Sequence, residues 1–303
     1  MSINMNLLES FMGPGLTLTL SPAQLFVCAG LLVVVLVSNA KSLLFAWHGR
    51  LFVQLARHFL LRRTHLTVRS ARHGGEALFA PVVTCSYTPL LDIDYNLHKS
   101  NSTFFNDLDD NRTELMLALF KDVVKPGSQG KATVKAKMFN LGGTFCTFKK
   151  PIAPFVKYEI SSRVLCWDQK WIYVVSHFAK PGSNNIGRTI LGRQNEKPYG
   201  VNHDDCIYAT AVTKYVFKQG RQTCSPESVM HECSLLPPRS TTEGPEGLTN
   251  GCSNITQALD EHWTWDKVQA ERNKHLKVAQ NFAALEDLQE TFIGRSGPVL
   301  YAY

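Results

Sequence analysis

The feature that most constrains this chain is a change of hydrophobic period at Gly74-Gly75. Before it, apolar residues come in continuous or helical runs. After it they come in the β-branched, alternating pattern of strands. Pro81–Thr88 (PVVTCSYT) reads as a strand that Pro89 stops. A polar loop over Leu90–Asn101 leads into a helix that Ser100 or Asn101 can cap. Phe104, Leu108, Leu115 and Leu119 form its apolar stripe, and Lys125-Pro126-Gly127 ends it. Strands dominate thereafter. Residues 134–148 read as a strand pair with a bend at Gly142-Gly143, and Tyr158–Trp167 places Tyr158, Ile160, Val164 and Cys166 on one face. Asp168-Gln169-Lys170 turns the chain into a returning strand, Trp171–Phe178; Pro181–Gly200 is polar loop, and Ile207–Phe217 is another strand. One strand, one long helix, then a run of antiparallel strands is an α+β order. It predicts a sheet wrapped around one buried helix.

The flanks read differently, giving four parts: residues 1–73, 74–220, 221–261 and 262–303. Pro22–Ala40 holds no charge and is mostly Leu, Val, Phe and Ala, just enough for a helix to cross a hydrocarbon core of about 30 Å. This predicts an N-terminal transmembrane helix; a cleaved signal peptide is disfavoured, because residues 1–20 contain no Lys or Arg. Lys41, Arg50, Arg57, Arg62, Arg63, Arg69 and Arg72 follow the run, whereas only Glu9 precedes it. Positive flanks stay cytosolic, so the expectation is a single-pass membrane protein with its main domain facing the cytosol. Leu43–Leu60 mixes those cations with apolar residues, as an amphipathic helix at the headgroups would, or one packed on the domain. Residues 221–261 turn to Ser, Pro, Gly and Thr, a flexible loop. Trp263–Phe292 predicts one amphipathic C-terminal helix with Trp265, Val268, Leu276, Ala279, Phe282 and Ala283 along its stripe.

The formal charge of +7 concentrates beside the apolar run and is not interleaved with aromatics, which favours a membrane surface over nucleic acid. None of the 8 cysteines forms a C-x-x-C pair or sits at zinc spacing with histidine, so no metal is expected, and their strand-like settings suit a reducing compartment. Asn101, Asn111 and Asn254 head glycosylation sequons that a cytosolic domain would leave unused. There is no G-x-S-x-G elbow, P-loop, dinucleotide fingerprint or H-E-x-x-H.

The residues with chemistry gather just before the long helix. Asp92, Asp94, His98 and Asn101 lie within ten positions of one another. Free amides and the positive end of a helix dipole there can stabilise negative charge on a carbonyl oxygen, and a nearby carboxylate can activate water or attack directly. The plainer alternative makes Asp92 and Asp94 turn formers and His98 a loop residue. His177 reads as a core or edge residue of its strand. The basic stretch Asn184–Arg188 with Arg193 reads as a solvated loop, or as a contact for coenzyme A phosphates.

The string Asp92-Ile-Asp94-Tyr-Asn-Leu-His98-Lys-Ser-Asn101-Ser-Thr-Phe104-Phe105 resembles the D-x-D-x-x-G-H-x-N-N-x-x-Y signature of 4-hydroxybenzoyl-CoA-type hotdog thioesterases. Tyr158–Asp168 and Lys170–Phe178 are similar to a membrane-anchored, THEM-like branch that includes proteins of fungal biosynthetic pathways. The C-terminal helix resembles that of its fungal members. The resemblance implies a hotdog fold and hydrolysis of an acyl or polyketide thioester carried on coenzyme A or a carrier protein. By position it makes Asp94 the catalytic carboxylate, with His98 and Asn101 shaping the helix entrance and Ser102, Thr103 and Phe104 binding substrate and oxyanion. It implies no cofactor, and a homodimer with acyl tunnels near the subunit interface. Leu97 and Ser100 depart from the family's Gly and first Asn, so a non-catalytic acyl-binding or scaffold protein at the membrane is the alternative. A hotdog dehydratase would need a His/carboxylate pair across the dimer, which the sequence does not place.

Overall fold

The computed structural model describes residues 21–60, 74–124, 135–183, 203–237 and 264–292. Its helices are α1 (Pro22–Ser38), α2 (Ala46–Phe59), α3 (Gly74–Phe79), α4 (Thr103–Val124), α5 (His203–Cys206), α6 (Pro226–Glu232), α7 (Trp265–Lys274) and α8 (Leu276–Ala283). Its strands are β1 (Val82–Tyr87), β2 (Met138–Phe148), β3 (Lys157–Trp167), β4 (Trp171–Ala179), β5 (Ile207–Gln219) and β6 (Gln222–Cys224). They form one antiparallel sheet in the order β1-β3-β4-β5-β2, with β6 on the end of β5.

The long helix α4 packs on the inner face of this sheet, which is the hotdog arrangement the signature implied. Its stripe works as the periodicity requires. Leu115, Met116 and Phe120 meet Val164, Trp167, Ile172 and Phe217, while Phe104 and Leu108 meet Tyr158, Ile160 and Phe178. Each of these side chains taken out of water contributes roughly 1.5–3 kcal/mol. Asn111 interrupts the stripe for a reason: it is fully buried, and its Nδ2 donates to Thr84 Oγ1 and Ile160 O, both at 2.9 Å, tying α4 to β1 and β3. A glycan cannot occupy it in the folded chain.

The β3–β4 hairpin forms where the turn chemistry predicts. Asp168 Oδ1 accepts the Lys170 and Trp171 amides, each at 2.7 Å, and its other oxygen accepts the Tyr173 hydroxyl at 2.8 Å. A bulge between Val164 and Cys166 then reverses the side-chain parity. Cys166 therefore does not share the inner face of Tyr158, Ile160 and Val164; it joins Tyr173, Val175 and Ala279 on the outer face, and Trp167 turns inward.

Other sequence expectations change too. Residues 138–148 are one bulged strand paired with β5, not a strand pair, and a Cβ on Gly142 would collide with the Trp171 ring. The C-terminal helix breaks at His275 into α7 and α8, and continues as a 3₁₀ stretch over Ala284–Thr291. Of the two pieces, α8 covers the outer face of the sheet, where Lys214 sits between the Trp171 and Phe282 rings and pairs with Glu286, while α7 buries Val268 in the inner core. The start of the span read as loop is built, since β6 and α6 place Val229 and Met230 in the core. Residues 238–263 and the basic stretch at 184–193 lie outside the described residues.

The transmembrane helix expected over 22–40 is not found: among the described residues no helix is long and apolar enough to cross a membrane. The reason is local. The helix stops after 17 residues, about 26 Å at 1.5 Å per residue, because the next residue, Asn39, is buried against the domain. The amphipathic stretch that follows packs on the domain. Arg50 of α2 pairs with Asp110 at 2.5 Å, and His58 meets Glu114 at 3.0 Å.

Candidate active site

The loop between β1 and α4 folds as a small hairpin. Ile93 and Lys99 form an isolated bridge. Inside it the Asp94 amide donates to His98 O and the Leu97 amide to Asp94 O, both at 3.0 Å. The Asp94 side chain accepts the Asn96 amide at 2.9 Å, so the aspartate both closes the turn and stays half-exposed. Leu97 has φ 59°, the left-handed conformation that glycine adopts freely and leucine at a cost of roughly 1–2 kcal/mol. That explains the family's Gly at this position. It also settles where the Leu97 amide goes: it is spent on the turn.

The loop is anchored from both ends. The Ser100 amide donates to Asp92 O at 2.7 Å and the Lys99 amide to Ile152 O at 2.8 Å. Thr103 Oγ1 returns to Ser100 O at 2.8 Å, and the amides of Thr103 and Phe105 donate to the carbonyls of Ser100 and Ser102. Asn101 and Ser102 are exposed at this entrance, and His98 is half-exposed. Phe104 is only 3% exposed; its ring packs edge-on against Phe148 and Phe178, so its side chain belongs to the core.

The two aspartates of the D-x-D thus part company. Asp92 is 4% exposed and sits in an ion cluster the sequence did not disclose. Lys99 Nζ lies 3.1 Å from Asp92 and 3.0 Å from Asp107, and Lys41 Nζ 3.3 Å from Asp92 and 2.8 Å from Asp107. The Tyr158 hydroxyl donates to Asp107, and Ser42 donates to Asp92 at 2.5 Å. Two cations thus balance two anions. Burial would raise the Asp92 pKa, but the Ser42 hydrogen bond and the Lys99 and Lys41 charges together hold it below the ordinary carboxylate value. Burial, with Asp107 beside it, pushes the Tyr158 phenol upward. Lys41 had read as membrane-surface charge, yet it reaches inside the domain. One signal could have exposed the cluster: Asp107 stands on the buried face of α4, between Phe104 and Asn111, where an unpaired carboxylate would be prohibitive.

A cavity of about 610 Å³ lies beneath α2, lined by Gly49, Arg50, Val53, Cys85, Tyr87 and Asp107 among others. No residue from Asp94 to Phe104 lines it, so it lies apart from the loop that carries the chemistry. His177 hydrogen-bonds Thr210 Oγ1 at 3.1 Å, and burial with Arg163 nearby lowers its pKa. It is a satisfied strand residue.

Known proteins share much of this sequence. The sequence profile of the "Thioesterase-like superfamily" matches residues 88–231. Thioesterase poxG of Penicillium oxalicum is 36% identical over 271 residues, covering 86% of this chain and 85% of its own. The chain belongs to the thioesterase-like superfamily. A second relative, the Emericella nidulans protein named probable thioesterase atnL, is 37% identical over 276 residues, covering 86% of this chain and 87% of its own. Among solved structures, YbaW, a probable thioesterase from Escherichia coli, aligns over 51% of this chain and 96% of its own, with 10% identity and a TM-score of 0.36. With named thioesterases 36% and 37% identical over most of its length, the chain is assigned as an acyl thioesterase, a hydrolase.

Proposed function

We propose that this enzyme hydrolyses an acyl or polyketide thioester carried on coenzyme A or a carrier protein, with Asp94 as its catalytic carboxylate and a place in a fungal secondary-metabolite pathway. The observation that carries the assignment is the separation of the two aspartates. Asp92 is committed to buried lysines, while Asp94 is held half-exposed by a closed turn at the entrance to α4. Asp94 takes a proton from water as the water oxygen bonds to the thioester carbonyl carbon. The tetrahedral intermediate then collapses, the C–S bond breaks, and the leaving thiolate recovers the proton. Because the Thr103 and Phe105 amides are engaged, the Ser102 and Phe104 amides are the oxyanion donors of this reading. His98 and Asn101 bound the approach to the carbonyl, and Thr103 holds the loop to the helix start. The reading needs no cofactor.

Two further parts of the proposal concern assembly. Among the described residues β2 is an edge strand, and it exposes Met138, Leu141, Phe145 and Phe148, which supports a homodimer formed along that edge. The uncharged α1 and the basic flank that follows support a membrane location with the domain on the cytosolic side.

The test is turnover of a panel of acyl-CoA and carrier-bound thioesters, followed by thiol release, in wild type and Asp94→Asn. The full chain is required, because Lys41 and Ser42 are part of the buried ion cluster. Loss of turnover with the thermal midpoint unchanged supports catalysis; equal rates in the two proteins refute it. The second reading, acyl binding without turnover, draws on the Leu97 amide being engaged within the turn. It predicts acyl-CoA binding to wild type with no thiol released from any member of the panel.

A further inference from the structure

The C-terminal end of α1 is fastened to the loop that carries the candidate catalytic residues. Asn39, only 1% exposed, accepts the Leu91 amide on Oδ1 at 2.9 Å and donates from Nδ2 to Val35 O at 2.8 Å. The Tyr87 hydroxyl donates to Ser38 O at 3.1 Å. Two and three residues beyond Asn39, Lys41 and Ser42 enter the ion cluster around Asp92. The base of α1 and the Leu90–Asp92 turn are therefore one rigid piece.

Beyond this base the helix buries none of its side chains against the other described residues. No residue of α1 is buried, and Phe26, Val27, Val35 and Leu32, spread around its circumference at about 100° per residue, are 81%, 63%, 50% and 58% exposed. A helix that docks on protein has one apolar face and one polar face, whereas one that is apolar all round needs an apolar surrounding on every side. A bilayer supplies that; a second copy or a partner groove covers one side only. The surroundings of the base match. Leu90 and Leu91 are 49% and 61% exposed there, and Leu44 and Phe45, at the turn into α2, are 85% and 68% exposed. Residues 21–60 contain no Asp or Glu to repel phosphate headgroups; of their cations, Lys41 and Arg50 are paired within the domain and Arg57 is exposed. From Leu91 to Asp94 is three residues, at most about 11 Å of extended chain.

We propose that this face rests on a phospholipid surface and that the acyl thioester reaches Asp94 from the bilayer, so the enzyme's substrates are strongly apolar, membrane-partitioning acyl groups. The proposal rests on the thioesterase reading of Asp94 and adds to it the substrate class and the side of entry. The outer face of the sheet provides an internal control. There Val278, Leu288 and Phe292 are 60%, 60% and 84% exposed, apolar to a similar degree but across the sheet from α4.

Two measurements on the full chain test it. In the first, the protein is bound to phosphatidylcholine/phosphatidylserine vesicles containing a phospholipid with a photoactivatable acyl chain, and the labelled peptides are mapped by mass spectrometry. Labels are expected within 21–60 and 86–98 and not within 276–292. Labelling confined to the C-terminal segment, or shared equally between the two faces, overturns the proposal whether or not the protein is active. In the second, hydrolysis of palmitoyl-CoA and butyryl-CoA is compared with and without vesicles. Vesicles are expected to raise the palmitoyl-to-butyryl rate ratio several-fold. The double variant Phe26→Asp/Leu32→Asp is expected to abolish that rise and vesicle flotation while leaving butyryl-CoA turnover intact. An unchanged ratio overturns membrane delivery and leaves the thioesterase reading standing. Failure to hydrolyse either substrate, or any carrier-bound thioester, defeats the thioesterase reading instead.

Discussion

Replacing Lys99 with Met tests whether the buried ion cluster holds the site loop in place. The Lys99 side chain is 0% exposed and lies 3.1 Å from Asp92 and 3.0 Å from Asp107. Methionine of similar length leaves little cavity, so the effect is chiefly electrostatic. Without Lys99, the two carboxylates share Lys41 alone, and one negative charge stays buried without a partner. Breaking a buried pair from one side costs about 3–5 kcal/mol. With a urea slope of about 2 kcal/mol/M, the unfolding midpoint should fall by about 2 M. The companion variant Lys99→Met/Asp92→Asn restores the balance, leaving Lys41 with Asp107. It should be more stable than the sum of the two single changes by about 1–3 kcal/mol. Urea titrations followed by tryptophan fluorescence and far-UV circular dichroism give both numbers. A loss below about 1 kcal/mol in Lys99→Met, the level of an exposed pair, would refute the argument, as would strict additivity in the double variant.

Three further outcomes are expected. The Asp92 carboxyl has a folded pKa below its ordinary value of 3.8, so its stabilisation is present above that pH and is lost as pH falls through the folded value. Thermal midpoints of wild type should therefore drop below about pH 4, and that drop should shrink in Lys99→Met/Asp92→Asn; equal acid sensitivity counts against the assignment. Gly142→Ala drives a methyl into the Trp171 ring and should cost about 1–3 kcal/mol, whereas Gly143→Ala, whose nearest contact would be 3.4 Å, should cost less; scanning calorimetry separates them. Leu97→Gly removes left-handed strain of about 1–2 kcal/mol and adds about 0.5–1 kcal/mol of unfolded-chain entropy, so the midpoint should rise slightly; a clear fall would mean that the leucine side chain contributes contacts that outweigh the strain.

Where a residue's role depended on its near neighbours, the chain could be read directly. The stripe at Phe104, Leu108 and Leu115 announced α4, and Asp168-Gln169-Lys170 announced the β3–β4 turn, because side-chain period and turn hydrogen bonds involve residues a few positions apart. The parity of Cys166 is not legible in its own strand, because a bulge is a property of the strand pair. The break at His275 is not legible either, because α7 packs Val268 into the inner core and α8 packs Ala279 on the outer face of the sheet, surfaces that exist only in the folded chain.

The candidate site divides along the same line. The change of period at Gly74-Gly75 determined by itself that a strand, a long helix and an antiparallel sheet would follow, and the motif before the helix determined which loop carries the chemistry. Only the tertiary structure decided between its two aspartates. They stand two positions apart in one loop, yet Lys41 and Lys99 claim Asp92, while Asp94 keeps only its own turn. Charges brought together from residues 41, 92, 99 and 107 act through space at about 3 Å. The energy of that contact exists only once the chain has folded.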